Sequence, residues 1–242
     1  MEKERLQKIL SKHGYGSRRA CEKLIADNHV KINGRIAKLG DRGNIAEDSV
    51  EVDGIPISKT SIKKIYIALN KPRRVLSEIK KQDDRRTVVD IVALDKYLFI
   101  IGRLDYLSEG LILLTNDGEL TNRLTHPRYE HEKEYSVLIN TKPHQRQLRA
   151  WRKGVVLNNG YQTLKTQVSI VKQNKHNTWL KIIMKEGKKR QIREIGKLLG
   201  LPVKRIIRTR IATIELDTLK VGEWRHLSDR EIRKLKNAAH LV

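Results

Sequence analysis

At 242 residues the chain can bury a real core, and one to two domains is the length prior. A formal charge of +23 weighs against cationic partners and points to a polyanion, most simply nucleic acid. One cysteine, Cys21, excludes an intramolecular disulfide framework and Cys-based zinc sites, and no apolar run approaches the ~20 residues that span a bilayer. The opening Met-Glu-Lys-Glu-Arg leads into no signal-peptide core, so a cytoplasmic protein with no membrane partner is expected. In chain order, Arg5 to His13 reads as a short helix with Leu6, Ile9 and Leu10 on one face. Ser17 is an N-cap for a second helix to about Asp27, which turns Cys21, Leu24 and Ile25 inward and leaves Arg18, Arg19 and Lys23 to solvent. Val30–Ile32 and Arg35-Ile36 flank Asn33-Gly34, a strong hairpin signal, and a second pair turns at Asp53-Gly54. Residues 59–64 are polar and basic, the best linker in the chain.

Ile65–Leu69 opens the second unit as a strand that Asn70-Lys-Pro72 ends. Lys80 to Arg86 is too charged for a core and reads as an exposed loop, followed by a helical turn over Val88–Val92. Leu98–Ile101 and Leu111–Leu114 read as short buried strands. A helix carrying Leu120 and Leu124, a strand over Tyr135–Ile139 and a helix over Gln145–Lys153 closed by Gly154 come next. Strands follow at about Thr166–Val171 and Thr178–Met184, then a helix over Gln191–Leu199 with Gly200 beyond its end. Val203–Leu216 supplies two more strand-like runs, and Ser228 with Glu231 forms a capping box for a last helix. Many strands without regular βαβ alternation predict an α+β fold with a mostly antiparallel, mixed sheet and flanking helices.

Two core strands enclose Gly102-Arg-Leu-Asp-Tyr-Leu-Ser-Glu-Gly110, forcing Arg103 and Asp105 into a tight connection with Gly at each end. Charged residues are rarely buried unless paired. Asp105 is therefore either a turn or cap residue or part of a site. The charge is uneven: +3 falls before Ser61, +2 from there to Asn140, and +18 from Thr141 onward, in a region that keeps apolar periodicity. Lys188, Lys189, Arg190, Lys204, Arg205, Arg208 and Arg210 are candidates for phosphate contact within it. The eight histidines are scattered, and Asp83-Asp84, the nearest thing to a carboxylate cluster, is weak support for a metal-dependent nuclease.

The first unit resembles the αL RNA-binding domain named after the fourth protein of the small ribosomal subunit. The resemblance rests on Arg5-Leu-Gln-Lys8, Ser17-Arg-Arg19, Leu24-Ile25, Val30-x-Ile-Asn-Gly34 and Val50-x-Val-Asp-Gly54. It implies a helix-helix-hairpin module over residues 1–58 that binds RNA through Arg5, Lys8, Arg18 and Arg19.

From Ile65 to about Leu227 the chain resembles the ribosomal-RNA pseudouridine synthases, which implies a catalytic domain over residues 65–242. Gly102-Arg-Leu-Asp-x-x-Ser-x-Gly-Leu111 matches their catalytic motif, and Tyr66-x-x-Leu69-Asn-Lys-Pro72 their opening motif. His126-Pro-x-x-x-x-x-Lys133-x-Tyr135-x-Val137, Glu186-Gly-Lys-Lys-Arg-Gln-Ile-Arg193 and Gly222-Glu-Trp-Arg225 complete the order. The resemblance implies isomerisation of uridine to pseudouridine in ribosomal RNA, the large subunit preferred over the small, by a cytoplasmic monomer. Asp105 is then the essential carboxylate, acting at the sugar or the ring, and Arg103 helps hold the duplex open around an extruded base. Tyr135 stacks the uracil and assists proton removal, or is a core strand tyrosine. Arg193 pairs with Asp105, or contacts phosphate from a basic helix. The reaction is redox-neutral and adds no group, so no metal or cofactor is expected. The family commonly has Gly where this chain has Arg74, which puts the local loop in question. A non-catalytic rRNA-binding assembly factor with the same fold is the alternative.

Overall fold

The structure, a computed structural model, describes residues 3–60, 62–79 and 83–241; Lys80 to Gln82 of the predicted exposed loop lie outside the described residues. The chain forms two compact units, the smaller from residues up to Ile65 with Asp95–Phe99 and Asn116–Gly118, the larger from the rest.

The smaller unit contains β1 (Glu4–Arg5), α1 (Leu6–Lys12), α2 (Arg18–Ala26), β2 (Val30–Ile32), β3 (Arg35–Ile36), β4 (Arg42–Gly43), β5 (Val50–Val52) and β6 (Ile55–Pro56). Ser17 caps α2 by accepting from the Ala20 N–H. Asn33 and Gly34 have φ of 48° and 79°, and Asp53 and Gly54 have 51° and 76°. Both central positions of each turn are thus left-handed, as two-residue hairpins demand. Strands β3-β2-β5-β6 form one sheet and β1 pairs with β4 separately. Leu6, Leu10, Cys21, Ile25, Val30 and Val50 fill the core between helices and sheet. Burial also pushes the Cys21 thiol up to about 11, the state of a packing residue rather than a nucleophile.

The larger unit contains β7 (Tyr66–Lys71), α3 (Val88–Val92), β8 (Phe99–Ile101), β9 (Glu109–Thr115), α4 (Gly118–Thr125), β10 (Lys133–Ile139), α5 (Gln145–Lys153), β11 (Gln167–Gln173), β12 (Thr178–Met184), α6 (Gln191–Leu198), β13 (Val203–Ile211), β14 (Ile214–Glu215), β15 (Trp224–His226) and α7 (Asp229–Ala238). The sheet runs β11-β12-β10-β13-β9-β7-β15, with β14 on β13 and β8 on β9. Every pairing given a register is antiparallel except β13 with β9, which run parallel at Ile207 opposite Glu109 and Arg208 opposite Gly110. Helices α5 and α6 close one core with Leu148, Trp151, Ile192 and Ile195 against Val137, Ile139, Leu180 and Ile182. A second core sets Leu120 and Leu124 of α4 and Leu235 of α7 against Ala68, Leu111 and Leu113. Strands β7 and β9 are buried throughout.

β7 continues past the predicted stop at Asn70, because its last two polar residues find partners. Asn70 donates to the Leu219 carbonyl at 2.8 Å. Lys71, fully buried, donates to the carbonyls of Pro72 at 2.9 Å and Val75 at 2.7 Å. Burial, reinforced by the Arg208 charge, lowers the Lys71 ammonium to about 8.

Candidate active site

The connection between β8 and β9 is built by its glycines. Gly102 and Gly110 have φ of +71° and +105°, and a Cβ on Gly110 would sit 2.3 Å from the Arg208 carbonyl oxygen. Only glycine therefore lets β9 approach β13 closely enough to pair. Between them the chain turns at Asp105, whose carbonyl accepts from the Ser108 N–H at 2.9 Å.

Three neighbours fix this turn. Ser77 Oγ donates to the Leu104 carbonyl at 2.8 Å and accepts from the Leu104 N–H at 3.1 Å. The Arg74 N–H donates to the Tyr106 carbonyl at 2.7 Å. Arg74 sits at φ 60°, the left-handed conformation that a glycine there would take freely. The departure from glycine has kept the backbone shape, at a cost of roughly 1–2 kcal/mol of local strain. The third neighbour is Arg208. It is 1% exposed, and its guanidinium donates to the carbonyls of Leu111 at 2.7 Å, Gly102 at 2.8 Å and Arg103 at 3.4 Å.

This corrects the expectation that Arg208 contacts RNA. A guanidinium enclosed by its own protein and bonded to three carbonyls is an internal brace. Burial pushes its pKa down, offset in part by the Tyr135 phenol beside it. Arg205 and Arg210 are also engaged: Arg205 grips the buried Glu109 at 2.6 and 3.0 Å, and Arg210 pairs with Glu132 at 3.0 Å. Lys204 alone of this group is exposed and unengaged by any ion pair among the described residues.

A cavity of about 350 Å³ opens over the turn, within the size range of small-molecule sites. Asp105, Arg103, Tyr106, Tyr135 and residues 187–191 line it. Tyr135 is 7% exposed and stands on β10 directly opposite Arg208 of β13. Arg103, Lys188, Lys189 and Arg190 are exposed at the rim. Arg193 is not in the cavity lining, and among the described residues it forms no ion pair with Asp105. The Asp105 charge still acts on it, raising its pKa against the larger lowering by burial.

The basic rim is held by a buried carboxylate that sequence reading passed over. Glu186 accepts from Tyr161 Oη at 2.7 Å, Gln191 Nε2 at 2.6 Å and the Leu164 N–H at 2.8 Å. Gln191 in turn accepts from the Lys188 N–H at 3.0 Å, and Lys188 Nζ lies 4.3 Å from the Tyr161 ring centre. Glu186 and Gln191 lie within a quoted motif, whereas Tyr161 carries no sequence signal. Glu186→Ala would take the acceptor from the buried Gln191 amide and from two part-buried donors; we expect a stability loss of about 1–2 kcal/mol. Loosening residues 187–190 should raise KM for RNA more than it lowers kcat. Calorimetry and steady-state kinetics check the two halves, and an unchanged KM would disconnect the brace from the rim.

In the smaller unit, Arg5, Lys8, Arg18 and Arg42 surround a depression of about 280 Å³. Arg18 and Arg19 are exposed at the start of α2, while Lys8 is paired with Glu4 at 2.7 Å.

Residues 4–42 match the model of the S4 domain and residues 65–195 that of RNA pseudouridylate synthase. A protein of Aquifex aeolicus named an uncharacterized RNA pseudouridine synthase is 39% identical over 98% of this chain and 95% of its own length. The ribosomal large subunit pseudouridine synthase B of Bacillus subtilis is 34% identical, covering 98% of this chain and 97% of its own. A crystal structure of a pseudouridylate synthase superposes with a TM-score of 0.67 at 29% identity, covering 96% of this chain and 99% of that one. With both units matched in order, and relatives aligned nearly end to end, the chain belongs to the RNA pseudouridylate synthase family.

Proposed function

We propose that this chain isomerises uridine to pseudouridine in large-subunit ribosomal RNA, with Asp105 as the catalytic carboxylate. The observation that carries the reading is the cavity itself, where Asp105 and Tyr135 line one pocket under a rim of Arg103, Lys188, Lys189 and Arg190. The B. subtilis relative named for the large subunit supports the choice of RNA.

In the reaction, the bond from uracil N1 to ribose C1′ breaks, the base turns, and C5 bonds to C1′ while the C5 proton leaves. No electrons are gained or lost overall. Asp105 acts on the nucleoside as nucleophile, at the sugar or the ring, and is regenerated. Tyr135 offers its ring to the uracil. A proton leaving its phenol would leave an anion beside the buried Arg208 cation. Arg193 supplies positive potential to Asp105 without touching it. Arg103 stands at the rim where a strand is held open around the extruded base, a step that costs a few kcal/mol.

The same reading makes the chain an α+β protein acting as a cytoplasmic monomer. An αL module over residues 1–58 contributes RNA contacts through Arg5, Lys8, Arg18 and Arg19, joined by residues 59–64 to a catalytic domain over 65–242. No described helix is long and apolar enough to cross a membrane.

Mapping pseudouridines in ribosomal RNA from cells with and without the gene tests the function. One large-subunit site should vanish on deletion and return with the wild-type gene. An unchanged map would remove the assignment.

A further inference from the structure

We propose that the RNA strand adjoining the target nucleotide leaves the cavity along α6, its phosphates held by Arg190, Arg193 and Lys197 with the turn at Asn158 and Asn159. The inference rests on RNA being the substrate.

Arg190 lines the catalytic cavity and also two depressions beside it, of about 380 and 310 Å³. Arg193 and Lys197 line both depressions. Arg193 and Lys197 share one face of α6, and Arg190 precedes the helix as its N-cap in a left-handed conformation. At 1.5 Å per residue those two lie about 6 Å apart along the axis, and Arg190 links them to the cavity in one cationic row.

Arg193 adds charge beneath the row. Its Nη1 donates to the Val203 carbonyl at 3.2 Å, but its Nε and Nη2 are closed off from solvent with no partner. With its donors turned into the protein, Arg193 acts on an anion in the depressions through its charge, and the exposed Arg190 and Lys197 make the contacts. Burial, reinforced by the Arg190 charge, pushes the Arg193 pKa down.

The surroundings do little to neutralise the row. From Thr141 to Lys185 the chain has ten Lys/Arg and no Asp or Glu. Glu194 is the carboxylate among the lining residues, set against three cations. Asn158 and Asn159 are exposed and bring neutral amide donors, which suit phosphate or ribose oxygens. A strand opened to extrude a base is locally unpaired, so the occupant is single-stranded RNA.

The test is equilibrium binding of the full chain to a large-subunit ribosomal RNA transcript across a salt series. Lys197→Ala is compared with Lys175→Ala, an exposed lysine outside both depressions. Losing one single-strand phosphate contact should lower the slope of log affinity against log salt by about 0.7 for Lys197→Ala. Lys175→Ala should leave the slope unchanged. Equal slopes for the two variants would overturn the track. Because the readout is binding, failure to form pseudouridine would remove the catalytic reading and leave this result standing.

Discussion

Asp105→Asn should abolish pseudouridine formation, by on the order of 10³-fold or more, while the protein melts at its normal temperature. The two halves of that expectation have separate causes. The turn is fixed by backbone groups: Ser108 N–H to the Asp105 carbonyl, Ser77 on Leu104, and Arg74 on Tyr106. Asn preserves all of them and the side-chain volume. What it removes is the negative charge and the nucleophilic oxygen in the cavity. RNA affinity should change little, since the removed group is an anion among cations. The measurement pairs product formation by carbodiimide labelling with a thermal melt. Wild-type turnover would sink the assignment, and a large drop in melting temperature would mean that Asp105 holds the fold.

Arg208→Met should have the largest effect on stability. It leaves the carbonyls of Gly102, Arg103 and Leu111 without their donor inside the protein. Unpaired buried acceptors cost roughly 1–3 kcal/mol each, partly recovered by the apolar replacement, so a loss of about 3 kcal/mol is expected. In a chain of this size that lowers the melting temperature by roughly 6–12 °C. Turnover should fall as well, because the same carbonyls hold the turn that carries Asp105. Arg208→Lys keeps the charge and one contact, and should recover part of both losses. The salt dependence of RNA binding should stay as in the wild type. A flattened slope would return Arg208 to the RNA-contacting set from which its burial removes it.

Much of the fold was legible because local signals were strong. Gln145–Lys153 and Thr178–Met184 have the predicted bounds, and the Ser228–Glu231 capping box forms. Both Asn-Gly and Asp-Gly hairpins turn where their left-handed preference places them. The β1–β4 pair and β15 escaped because two or three residues leave no periodic trace. The three arginines of β13 were indistinguishable in sequence. Register separates them: a shift between Glu134 and Tyr135 on β10 brings Tyr135 opposite Arg208. Such irregularities change which residues face the core, and a strand's own pattern does not announce them. The turn that carries Asp105 was readable for the opposite reason, since its flanking glycines are required by local geometry within nine residues. Arg193 shows the limit of motif reading. The motif names the residue, but its distance to Asp105 is set by how α6 seats on the sheet.

The pairing of β7 with β15 has a consequence for how the protein is made. Leu69 lies opposite Trp224 and Ile67 opposite His226, so the opening strand waits about 160 residues for its outer neighbour. Synthesis at about 5–20 residues per second puts roughly 8–32 s between them. Throughout that interval an apolar strand presents an open edge, the feature that invites pairing with other chains. Such non-local pairing slows folding, and the outer edge of β7 is covered only once nearly the whole chain has emerged from the ribosome. Nascent-chain truncations ending before Trp224 should depend on chaperones to stay dispersed, and those extending past α7 should not.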